Sequence, residues 1–99
     1  MPNYEDVTII THEYDMRAGE KYGIISTPVG QMYYVLKADD RPSNSHGLHG
    51  GRIRHVEVGW PGSDVLVEFD NGEWRKDLKY ASDYARAAYR AVVRRHYNL

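Results

Sequence analysis

Residues 56–74 read VEVGWPGSDVLVEFDNGEW, and no other stretch restricts the fold of the chain so much. Val56 and Val58 alternate with polar residues, and Val65, Val67 and Phe69 recur at the same interval, the period of strands with one face buried. Between the two runs, Trp60-Pro61-Gly62-Ser63 places proline and glycine where a tight turn needs them. Asn71-Gly72 tolerates positive φ at both positions, the requirement of a type I′ turn. Runs joined by so short a link pair antiparallel, because a parallel pair needs a crossover of a dozen residues or so. The sequence therefore predicts a hairpin of strands 52–58 and 64–70, with 73–75 as a short third strand.

The same grammar extends upstream. Residues 7–12 alternate at period two, and 22–27 and 32–37 are short apolar runs joined through Pro28 and Gly30. Residues 39–51 are rich in Asp, Ser, Asn, Pro and Gly and form the longest predicted loop. At Leu78 the period changes: Leu78, Ala81, Ala85, Ala88, Tyr89 and Val92 fall on one line at helical spacing. The prediction is a helix over 78–97, capped by either Asp77 or Ser82. Strands come first and the helix last, so the expected fold is α+β. An antiparallel sheet of four to five strands should carry one C-terminal helix on one face, in a single domain of 99 residues.

Composition narrows the chemistry. The chain has no cysteine, which excludes disulfides, thiolate metal sites and a cysteine nucleophile. No serine stands in a nucleophile elbow, and no catalytic residue is assigned. The N-terminal residues are acidic where a signal peptide is basic, and no apolar run approaches a membrane span, so a cytoplasmic location without membrane contact is expected. Net charge is −1, which disfavours nucleic acid as a partner. The charge is unevenly spread: residues 1–20 hold five acids against Arg17, whereas 86–95 hold four arginines and no acid. That polarity could steer a partner or draw the two ends of the chain together.

Residues 43–55, SNSHGLHGGRIRH, contain His46, His49 and His55 among three glycines and two arginines. Zinc accepts imidazoles from loops, but the glycines loosen the geometry such a site needs, so neither metal nor cofactor is expected. Gly50, Gly51, Arg52 and Arg54 could instead form an anion or nucleotide site, a backbone nest flanked by guanidinium groups. Glu57, Glu68 and Asp70 stand on adjacent predicted strands and could gather with His55 on one outer face, the residue types of acid–base chemistry or of an ordinary solvated face.

"YGI" at Tyr22, "GLHGGRIRHVEV" from Gly47, "VLVEFDNGEW" from Val65 and "ARAAYRAVVRRHYN" from Ala85 resemble a family of short, uncharacterised phage-encoded proteins. Its members carry a GINGGRI-like lead into a strand, a YDRGW-like turn and a C-terminal helix, matched here over about residues 47–99. The resemblance implies this fold and a viral origin, with the host cytoplasm as location, and it transfers no activity.

The remaining features concern recognition. Arg86, Arg90 and Arg94 recur every four residues along the predicted helix, and Tyr80, Tyr84 and Tyr97 fall off its buried line. Exposed arginine and tyrosine are enriched where one protein grips another. The expected function is therefore a small non-enzymatic binding module that docks on a host protein. Its target would be a component of bacterial defence, as for anti-CRISPR and other anti-defence proteins. Two alternatives stand beside it: a small-molecule or nucleotide binder, and a histidine-metal hydrolase. A homo-oligomer fits any of the three.

Overall fold

A computed structural model of the chain describes Tyr4 and residues 7–96. Six strands form one open antiparallel sheet: β1 (Ile9–Arg17), β2 (Glu20–Thr27), β3 (Gly30–Ala38), β4 (Ile53–Gly59), β5 (Val65–Asp70) and β6 (Glu73–Lys76). They lie side by side in chain order, each paired antiparallel with the next. A single helix, α1 (Asp83–Arg95), follows and packs on one face. The fold is thus α+β as expected, with six strands rather than four to five. Glu73–Lys76 does pair with β5, and the first strand runs to Arg17 instead of ending at His12.

The turns follow their sequences. Gly62 has φ 71° and Ser63 donates its amide to the Trp60 carbonyl at 3.1 Å, closing a turn with proline then glycine at its centre. Asn71 and Gly72 both have positive φ, 51° and 93°, as a type I′ turn requires. The long loop is held at both ends: Asp39 donates its amide to the Arg52 carbonyl at 2.8 Å, and Ser43 to that of Gly51 at 3.1 Å.

The buried layer consists of Ile25, Met32, Tyr34, Leu36, Ile53, Val56, Val58, Val67 and Phe69 from the sheet, Leu48 from the long loop, and Ala85, Ala88, Tyr89 and Val92 from α1. Alanines on the inner line of the helix let its axis approach the strands. Leu78 and Ala81 pack only at the margin of this layer because they precede α1. Residues 78–80 form a 3-10 turn instead of the first turn of a long helix. Both candidate caps are used. Asp77 accepts the Lys79 amide at 3.1 Å to start the 3-10 turn, and Ser82 accepts the Ala85 amide at 3.2 Å to start α1.

The two ends of the chain meet across the core. Glu13 on β1 accepts bonds on its Oε2 from the Tyr34 hydroxyl and His96 Nε2, with Arg95 Nε at 3.3 Å. The His96 ring is 4% exposed, and its Nδ1 donates to the Val92 carbonyl at 2.6 Å. Of the two consequences open to the charge polarity, attraction between the ends is the one the fold uses.

Candidate functional site

Because one helix covers one face, the other face of the sheet is open, and strand register decides what stands on it. Directly opposed residues share a face. Tyr14 opposes Tyr22, His12 opposes Ile24, Ile24 opposes Tyr33, and Tyr22 opposes Val35. The rings of His12 and Tyr14 stack at 6.5 Å, and those of Tyr14 and Tyr22 lie 6.4 Å apart. Tyr14 is 53% exposed and Met16, beside the irregularity between Asp15 and Arg17, is 61% exposed. The centre of the open face of β1 to β3 is therefore aromatic and aliphatic, flanked by Arg17, Glu20 and Lys37 at one end and Ser26 and Gln31 at the other, where an antiparallel sheet usually presents polar side chains to water.

Across β3 the character of this face changes. Val35 opposes Glu57, Lys37 opposes His55, His55 opposes Asp70, and Glu57 opposes Glu68. Tyr33 joins the two halves by donating its hydroxyl to Glu57 Oε2 at 2.5 Å. Burial, that bond and the Glu57 charge push the Tyr33 phenol well above its ordinary pKa. His55 Nδ1 lies 3.0 Å from Asp70 Oδ1, and its Nε2 lies 3.4 Å from Glu57 Oε1. The hydrogen bond from His55 holds the Asp70 carboxyl below its ordinary range, helped by Arg75 at 3.3 Å and opposed by partial burial. Lys76 stands opposite Glu68 on β6. The expected gathering of Glu57, Glu68 and Asp70 beside His55 is present.

His46 and His49 do not join it. Both are exposed, His46 beside the Ser45 hydroxyl at 3.3 Å and His49 at φ 52° within a 3-10 turn. Among the described residues, the grouping with metal-ligating geometry is His55, Glu57 and Glu68.

The proposed anion nest is occupied from within. Gly50 donates its amide to Gly47 at 3.1 Å and Gly51 to Leu48 at 2.9 Å. Arg52 Nε donates to the Asp39 carbonyl at 2.9 Å, and Arg54 Nε pairs with the Asp39 carboxylate at 2.8 Å. These groups close the long loop onto β4. The arginine row is likewise divided. Arg86 turns back and donates Nε to the Leu78 carbonyl and an Nη to that of Lys79, each at 2.9 Å, so it ties the 3-10 turn to α1. Arg90 is exposed, and Arg94 is exposed at the rim of a cleft shared with Thr8, Ile10 and Ala91. Tyr84 is half-buried against the Tyr4 ring at 4.7 Å, whereas Tyr80 is 82% exposed. Tyr97 lies outside the described residues.

Sequence reasoning passed over Tyr14, Met16 and Tyr22. The signal was there, since His12, Tyr14 and Met16 alternate with Glu13 and Asp15, but the predicted strand ends at residue 12. No described helix is long and apolar enough to cross a membrane. Comparison with protein-family models, curated proteins and solved structures finds no match.

Proposed function

We propose that this chain is a non-enzymatic binding module that docks on a protein partner through the open face of β1 and β2. One observation carries this reading: Tyr14 and Tyr22 oppose each other and stand exposed on a face that no described residue covers, with the exposed Met16 next to them at the strand irregularity. Contiguous apolar patches on soluble chains mark interaction surfaces, and tyrosine supplies rigid contact area at small entropic cost. With the resemblance of residues 47–99 to phage-encoded proteins, the partner to test first is a host protein of bacterial defence. Arg90 and Tyr80 lie on other surfaces and are assigned at most a secondary contact. Arg52 and Arg54 each spend Nε on Asp39, which ties them to the loop and lowers the positive charge open to a nucleotide, so that alternative is disfavoured.

The test compares three immobilised proteins in bacterial lysate: wild type, the double variant Tyr14→Ser/Tyr22→Ser, and Arg90→Glu. A specific protein should be retained by wild type and Arg90→Glu. The double variant should lose at least about 2 kcal/mol of binding, roughly 30-fold in Kd, with its melting temperature close to wild type. Equal retention by all three, or none by any, contradicts the proposal.

A further inference from the structure

We propose that His55, Glu57 and Glu68 form a binding site for a divalent transition-metal ion of the zinc class, independent of the docking surface. The argument starts from His55. Its residue is 8% exposed, and Nδ1 is engaged by Asp70 at 3.0 Å, which leaves Nε2 facing Glu57 Oε1 at 3.4 Å. A carboxylate on the far nitrogen of a metal-binding imidazole fixes its tautomer and aims the near nitrogen, and Asp70 occupies that place. Glu57 is held in the same manner: the Tyr33 hydroxyl binds Oε2, and Oε1 faces His55.

The spacing fits an ion better than a direct bond. His55 Nε2 and Glu57 Oε1 are 3.4 Å apart, longer than an ordinary N–H···O hydrogen bond. Two ligands at about 2.0–2.1 Å from zinc, subtending a tetrahedral angle, stand roughly 3.4 Å from each other. The three ligand atoms all lie within 4.8 Å of one another, so a modest rotation of Glu68 completes the set. One imidazole and two carboxylates suit zinc or manganese, and three protein donors leave the fourth position to water. The register argues the same way: Glu57 and Glu68 oppose each other directly, a like-charge pair that a cation between them relieves. Lys76 opposite Glu68 is the ammonium with which the ion competes.

The experiment is titration of the full chain with zinc by calorimetry and with cobalt by visible absorption. Wild type should take up one equivalent and show the intense bands of tetrahedral cobalt. Glu68→Gln and His55→Ala should each weaken binding at least about 10-fold, and Asp70→Asn, acting only through the imidazole, by about 10- to 100-fold. The double variant His46→Ala/His49→Ala should bind as wild type does. Glu68 lies on a partly exposed face, so Glu68→Gln reports on the site even where His55→Ala unfolds the chain. Absence of stoichiometric uptake by wild type, or unchanged uptake by Glu68→Gln, overturns the proposal. Loss confined to the His46/His49 variant overturns it as well, placing the ion on the loop.

Discussion

Glu13 receives a phenol, an imidazole and a guanidinium on a single carboxylate oxygen. Burial disfavours its charge, but the Tyr34 and His96 hydrogen bonds and the positive charges of His96 and Arg95 outweigh it and hold its pKa below the ordinary 4.5. Both His96 nitrogens face acceptors, the Val92 carbonyl and Glu13 Oε2. A depressed carboxylate pKa adds stability above the unfolded-state value, and this is lost as pH falls through the folded-state value. Glu13→Gln should therefore cost about 2–3 kcal/mol in denaturant unfolding at neutral pH, because the carboxylate oxygen that Tyr34, His96 and Arg95 share is lost in a largely buried place. The gap between wild type and variant should narrow as pH drops below 4.5; a gap independent of pH would contradict the assignment. At this scale the sequence was only partly legible. His55, Glu57, Glu68 and Asp70 could be grouped from strand alternation alone. Glu13 and His96, 83 residues apart, could not, and the opposed charge of the two chain ends was their only trace.

Among the elements, the helix and the turns were the most legible, because their signals are local. Pro61-Gly62 and Asn71-Gly72 adopt the backbone their residues demand, and Ser82 caps α1. What local pattern could not supply was the break between Leu78 and Asp83. Leu78 and Ala81 keep the helical period, yet Arg86 reaches back to two carbonyls that a continuous helix would have used internally. Ser82→Ala should lower stability by about 1 kcal/mol, and Asp77→Ala by less, since Asp77 serves one 3-10 turn. Equal losses in thermal or denaturant unfolding would favour one continuous helix from residue 78. The extension of β1 to Arg17 was missed for a related reason. Glu13 and Asp15 lie on the helix side of the strand, where Tyr34 and His96 bond the first and Lys21 pairs the second, so the acids do not interrupt it. Its two irregularities, at Ile10/His12 and Asp15/Arg17, blunt the edge against pairing with another chain.

At the scale of the molecule, one helix is too narrow to cover six strands on both sides, and the two faces part company. The covered face is apolar apart from the Glu13 cluster and the Asp15–Lys21 pair. The open face is aromatic over β1 to β3 and carries the imidazole and carboxylates over β4 and β5, with the Tyr33–Glu57 bond at the seam. The order of elements revealed this layering in advance, whereas which residues the open face would gather depended on the register of β1, which the sequence left undetermined. Oxidative footprinting of the captured complex tests the central claim most directly, with side-chain modification read by mass spectrometry in free and bound protein. Met16, Tyr14 and Tyr22 should become protected on binding, while Tyr80, 82% exposed, keeps its reactivity. Protection at Tyr80 with Met16 and Tyr14 still oxidised would place the partner elsewhere and contradict the account.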